Sequence, residues 1–211
     1  MPAKAARPRP AVSADDILET AAQMIETAGV EALTMRGLAE RMGVAVTSIY
    51  WHVGGRDALF DALTERLVHR IAELPVEGTT PVERIRSLAR VHRRALIDNQ
   101  HLLAVAHGRN QTSALFSPIQ QALATELGDI GVTGRDAALV LRTIEVHVIA
   151  SALMQFSSIR GQTRRAADPW NDTWPDRELV GALAQPTDYD AVFDYGLDAL
   201  LARLPGSAAA P

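Results

Sequence analysis

A chain of 211 residues, 47% of them hydrophobic and 22% charged, has enough apolar material for one large domain or for a small one beside a medium one. It has no cysteine, which excludes disulfides and thiolate metal sites and suits a reducing cytoplasm. A net charge of −4 excludes a surface coated in basic residues but leaves room for a local basic patch.

Residues 1–12 hold Lys4, Arg7 and Arg9 among Pro2, Pro8 and Pro10, with no apolar core segment. They are expected to form a disordered basic arm and not a signal peptide. No apolar run reaches the length of a membrane span; the longest apolar stretch, around Val146 to Met154, is interrupted by His147 and Ser151. Beyond the arm, Ala, Leu, Arg and Glu dominate and strand-like alternation is nearly absent, which predicts an all-α chain of about ten helices.

Ser13 with Asp16 three residues on has the form of a capping box. Ile17, Leu18, Ala21, Met24, Ile25 and Ala28 then share one face before Gly29 stops the first helix. Thr34 caps a short second helix ended by Gly43. A third runs from about Val46 to His52 and is closed by Gly54 and Gly55. A fourth, to about Leu74, turns Leu59, Phe60, Leu63, Leu67 and Ile71 inward. Thr80-Pro81-Val82-Glu83 combines a cap, a proline at the first helical position and a glutamate at the third, and starts a helix to about Asp98. Further helices are predicted at about 101–108, 113–128 and 134–160, the last capped by Thr133. A loop over 161–176 with Arg164, Arg165, Trp170 and Trp174 follows, then a short helix near 176–184 and a final helix capped by Thr187 and ending near Leu204. The expected division is an arm over 1–12, a three-helix helix-turn-helix domain over 13–70, a larger helical bundle over 71–204 and a frayed tail over 205–211.

The segment from Leu33 to Val53 is two short helices joined by a turn at Gly43, which can take the left-handed conformation such a turn requires. Leu38, Ala39, Met42, Val44 and Ile49 supply a small core, and Ala39 lets the helices approach closely. In helix-turn-helix geometry the second helix enters the major groove. Thr47, Ser48, Tyr50 and His52 can then bond phosphates or base edges, Arg36 can reach a phosphate or a guanine edge, and Arg56 opens the next helix, whose amides favour a phosphate. From Thr34 to Arg56 the charges are Arg36, Arg41 and Arg56 against Glu40, a net of +2. The arm adds Lys4, Arg7 and Arg9, so binding is expected to be salt-dependent and weak on non-specific DNA. The alternative is that the same corner merely turns two helices of an α-bundle.

The segment resembles the TetR family of repressors, in its tetracycline-repressor-like branch. The likeness rests on Leu33-Thr34-Met35-Arg36-Gly37-Leu38-Ala39, on Met42-Gly43-Val44, and on Tyr50-Trp51-His52-Val53 followed by Ala58-Leu59-Phe60-Asp61-Ala62-Leu63. It covers 13–70; beyond that it is a matter of helix order and length. The resemblance implies an all-α homodimer with a ligand-receiving C-terminal domain, and it implies that Arg36, Thr47, Ser48, Tyr50, His52 and Arg56 face an operator. In that branch a polar amide and a proline open the recognition helix, where this chain has Val46 and Thr47. A valine can touch a thymine methyl but cannot make paired hydrogen bonds to adenine, so a different operator is expected.

In the C-terminal part, Thr143, His147, Ser151, Gln155 and Ser158 lie at helical spacing within an apolar helix. A buried polar stripe must find partners. It either lines a ligand pocket or bonds across helices or at the seam between two copies. His107, Arg109 and Asn110 form a helix-end cluster that either contacts a ligand or satisfies the last carbonyls of its helix. The magnesium–tetracycline repressors that the chain resembles use a histidine, which could correspond to His107, and a partner-subunit glutamate, which would fall near Gln155. A neutral amide is a poor ligand for a hard cation, so magnesium–tetracycline is not the expected effector. The six histidines show no metal-site spacing, and no catalytic constellation is apparent, so neither a catalytic residue nor a metal or cofactor is expected. The final helix carries Phe193, Gly196, Leu197 and Leu200, assigned with the 134–160 helix to a dimer bundle. The expected function is a cytoplasmic homodimeric repressor, released from a palindromic DNA operator by a small-molecule effector and without a membrane partner. A ligand-independent DNA-binding protein and an all-α enzyme are the alternatives; the first would carry a more basic balance, the second a converging catalytic set.

Overall fold

The computed structural model describes residues 12–161 and 175–206; the side chains of 159–161 are not described. Ten α-helices occur among these residues, and no strand: α1 (Ala14–Ala28), α2 (Met35–Met42), α3 (Val46–Val53), α4 (Arg56–Ala72), α5 (Pro81–Asp98), α6 (Gln100–Gly108), α7 (Ser117–Asp129), α8 (Gly134–Gly161), α9 (Arg177–Leu183) and α10 (Tyr189–Leu201). The expected arm, most of the 161–176 loop and the end of the tail fall outside the described residues.

The caps sit where local chemistry puts them. Ser13 Oγ accepts from the Asp16 amide at 3.1 Å while Asp16 accepts from the Ser13 amide at 3.0 Å, closing a reciprocal box at the start of α1. Thr80 and Glu83 close the same box on α5, with Pro81 at its first turn. Those hydrogen bonds to the charged form, with the Thr79 hydroxyl first among them, hold the Glu83 carboxyl down at about 2.

Two starts differ from expectation. The helix expected over 113–128 is a 3₁₀ turn, Thr112–Phe116, followed by α7. Pro118 lies in the first turn of α7; without an amide proton it cannot continue a helix from upstream but fits a new one. The last helix is capped by Asp188 and not Thr187, because the Asp188 carboxylate accepts from the amides of Asp190 and Ala191 at 3.1 and 3.0 Å.

The chain divides into two compact units after Arg66, within α4. In the first, α1, α2, α3 and the start of α4 bury Ile17, Ala21, Ile25, Leu33, Leu38, Ile49, Leu59 and Leu63. Fully burying a Leu or Ile stabilises by about 1.5–3 kcal/mol, so this small core depends on each of them.

In the second unit α5 is central and packs on α6, α7, α8 and α10. Its buried face is Val82, Ile85, Leu88, Ala89, His92, Arg93 and Leu96. Arg84 grips Glu126 of α7 with two contacts of 2.7 Å. Arg86 and Arg90 pair with Asp198 and Asp194 of α10, each at 2.8 Å. These last two are solvent-exposed pairs that fix register more than they stabilise.

The expectation that no apolar segment could span a membrane needs correction for α8. Its segment Gly134–Ser158 has a mean hydropathy of 1.6 and is long enough to do so by composition. His147 and Ser151 interrupt the apolar stretch but are too few to lower its average hydropathy. The helix packs within the second unit against α5, α6, α7 and α10, burying Ile144, Val148, Ala152 and Phe156. Leu139, Val146 and Met154 stay exposed on it.

Candidate functional site

The helix-turn-helix is built from α2 and α3. Thr34 Oγ1 accepts from the Gly37 amide at 3.0 Å and starts α2. Gly43 ends it in the left-handed conformation, φ 66° and ψ 33°, and the Val44 amide returns to the Ala39 carbonyl at 3.0 Å. A Cβ at Gly43 would meet no atom, so only this backbone conformation demands glycine.

Ile49 is the one fully buried residue of α3 and pins it to the core. Residues three and four apart share a helix face, so fixing Ile49 inward turns Thr47, Tyr50 and Trp51 outward together. Thr47 is exposed, Tyr50 is 50% exposed and Trp51 82%. Val46, Ser48 and His52 flank this face and are half-buried. The His52 ring meets the Trp51 ring edge-on, with centroids 4.6 Å apart. Arg36 and Arg56 are exposed, and the Arg56 guanidinium lies 5.2 Å from the Phe60 ring centroid, which orients it at the first turn of α4. All seven residues expected to meet DNA therefore lie on α2, α3 or the start of α4. On α3 the exposed members are Thr47 and Tyr50, joined by Trp51, which the sequence pattern marks only as part of a motif.

The expected ligand-pocket residues are differently placed. Arg93, only 5% exposed, reaches from α5 to the polar stripe of α8. Its guanidinium donates to Ser151 Oγ at 2.8 Å, Gln155 Oε1 at 2.6 Å and the Tyr189 carbonyl at 3.1 Å, and to the Asp190 carboxylate. The same group lies 4.7 Å from the Phe193 ring centroid. His147 stacks on Phe193 at 4.8 Å, with its Nε2 2.9 Å from the Phe193 carbonyl oxygen. Ser151, Gln155 and His147 are thus engaged across helices within one chain: a buried guanidinium needs acceptors, and the stripe supplies them.

His107 and Asn110 are exposed. His107 Nδ1 lies 3.4 Å from Thr112 Oγ1, and Asn110, at φ 56°, forms the turn that ends α6, with its amide bonded to the His107 carbonyl. They finish the helix.

The α10 residues expected at the dimer bundle differ in burial within one chain. Phe193 and Leu197 are buried within the protomer, and a Cβ at Gly196 would stand 2.5 Å from His147 Cε1. Gly196 therefore permits the α8–α10 approach inside one chain. Leu200 is half-buried. The outward residues of α10 are Val192 and Tyr195, 57% and 83% exposed. Among the described residues no cluster of three or more His, Asp and Glu could hold a metal ion.

Residues 17–63, from α1 into α4, match the model of the tetR family of bacterial regulatory proteins. The class C tetracycline repressor protein of Escherichia coli is 27% identical over 194 residues, covering 89% of this chain and 88% of that protein. The chain carries a tetR-family DNA-binding domain over residues 17–63. It is a DNA-binding transcriptional regulator. TetR-family structures share its whole fold: apo ActR from Streptomyces coelicolor has a TM-score of 0.70 at 24% identity, covering 92% of this chain and 95% of that one. A TetR variant from Acinetobacter baumannii AYE in complex with minocycline has a TM-score of 0.64 at 26% identity, covering 90% and 95%.

Proposed function

We propose that the protein is a homodimeric TetR-family repressor that acts in the cytoplasm. In this reading α3 reads a palindromic operator, and a small molecule bound in the second unit releases it. The observation that carries the proposal is the outward face of α3, where Thr47, Tyr50 and Trp51 stand clear of a core pinned by Ile49. Thr47 and Tyr50 offer hydroxyls to base edges or phosphates, and Trp51 offers an apolar plane and an indole N–H. Val46 and Ser48 lie at the rim of that face, where a thymine methyl and a phosphate are suitable contacts. Arg36 and Arg56 bracket it as phosphate anchors, with His52 behind Trp51.

One such helix reads few bases, so two copies are needed. The seam is assigned to the exposed apolar residues of α8 and α10: Leu139, Val146, Met154, Val192 and Tyr195. These faces explain why a helix as apolar as α8 leaves large side chains uncovered in one chain.

Control by a small molecule is supported by the relatives, which include tetracycline repressors and a TetR variant in complex with minocycline. Magnesium–tetracycline itself fits poorly here. Gln155 offers no carboxylate and is bound to Arg93, and His107 sits exposed at a helix end.

Selection of bound duplexes from a random pool tests the proposal. It should enrich an inverted repeat bound by two copies of the chain. Enrichment of no sequence, or of an unrepeated half-site bound by one copy, would overturn it.

A further inference from the structure

Resting on the effector-controlled reading, we propose that the effector site is the cleft formed by the end of α4 with α5 and α7, and that its ligand is an uncharged aromatic or alicyclic molecule bearing a hydroxyl that bonds His92. Two neighbouring clefts in the second unit share Ile71, Leu74 and Val91 as walls, one of about 360 Å³ and one of about 90 Å³. Together they match the size of small-molecule sites, and most of their walls are apolar, with Leu67, Ala95, Pro118, Ile119 and Ala122 among them; Arg70, Arg94, Asp98 and Asn99 also line the larger one.

His92 lines the smaller cleft and is fully buried. Its ring meets Phe116 edge-on at 5.4 Å, and neither ring nitrogen has a hydrogen-bond partner among the described residues. Leaving a buried donor and acceptor unpaired is costly, and native interiors rarely do so without a purpose. Burial also pushes the imidazole down to about 4, so near neutral pH one nitrogen is a donor and the other a bare acceptor. A hydroxyl complements either nitrogen, because it both donates and accepts. A charged ligand group beside His92 would lose its hydration without an opposite charge to replace it. The charges of the larger cleft stand at its mouth: Arg70 is exposed, and Arg94 pairs with Asp98 at 3.0 Å. The site thus selects a neutral, mostly apolar body with one polar point directed inward.

The probes are 2-naphthol and 2-methylnaphthalene, titrated without DNA into the full chain and its His92→Phe variant. The naphthol should bind the wild type about tenfold tighter than the variant, the worth of one buried hydrogen bond, while the methyl analogue binds both alike. In the wild type, nitrogen NMR of the imidazoles should show the His92 resonances moving with naphthol and not with the methyl analogue, a readout independent of how well the variant folds. No naphthol binding, equal naphthol affinity for both proteins, or unmoved His92 resonances would overturn the site. Operator release is measured separately. Naphthol that binds through His92 without displacing DNA would count against effector control and leave the site standing.

Discussion

Replacing His92 by Phe should flatten the acid side of the stability profile. In the folded chain, burial holds the His92 ring neutral down to about 4, against an ordinary value of 6.5. The unfolded chain takes up that proton near 6.5, while the folded one refuses it until about 4. Above pH 6.5 both states are neutral at this residue and stability is unaffected. As pH falls from 6.5 to 4 the unfolded state binds more protons, so stability falls with it. The slope is about 1.4 kcal/mol per pH unit, so the interval costs about 3 kcal/mol in all. Urea unfolding of wild type and His92→Phe between about pH 7.5 and about pH 4.5 would show it as a widening gap between the two curves in favour of the variant. Staying above about 4.5 keeps the Glu83 and Asp16 caps out of the comparison. Their carboxylates are held low by hydrogen bonds, so their stabilisation is complete above the usual carboxylate range and is lost only at lower pH. Parallel curves across the interval would refute the claim that His92 is buried and neutral.

Gly196→Ala should destabilise by about 1–3 kcal/mol, because the new Cβ meets the His147 ring. Adding His147→Ala should recover much of that loss in a double-mutant cycle, and a purely additive pair would show the contact to be unimportant. Arg93→Met should cost about 3 kcal/mol in chemical denaturation, since it leaves Ser151 and Gln155 without their donor; an unchanged midpoint would mean those groups find other partners.

Local chemistry was the legible part of this chain. Ser13, Thr34 and Thr80 announce helix starts because a side-chain oxygen next to free amides has one evident use, and Gly43 announces the turn because few residues tolerate its backbone. The inward Ile49 and outward Tyr50 follow from helical spacing alone. Trp51 is a large aromatic of a kind usually buried, yet its step from Tyr50 and Thr47 places it on the outward face. The polar stripe on α8 was visible, but its partner was not. Arg93 lies 58 residues from Ser151 and 62 from Gln155, and no local pattern links them. Gly196 signalled a close approach without saying whether the approaching helix belonged to the same chain. His92 passed as one histidine among six, although its spacing from Ile85, Leu88, Ala89 and Leu96 puts it on the buried face of α5. That position alone marked it as a histidine needing an explanation.

The central claim is that the outward face of α3 reads DNA. It is tested most directly by quantitative gel-shift titration of the selected operator with wild type, Thr47→Ala, Tyr50→Ala and Trp51→Ala, alongside sedimentation and thermal unfolding of each. All three side chains lie on an exposed face, so fold and assembly should be unchanged, while each replacement weakens specific binding by about 1–3 kcal/mol, roughly tenfold or more, and leaves non-specific binding nearly intact. Wild-type affinity for the operator in all three variants would contradict the account.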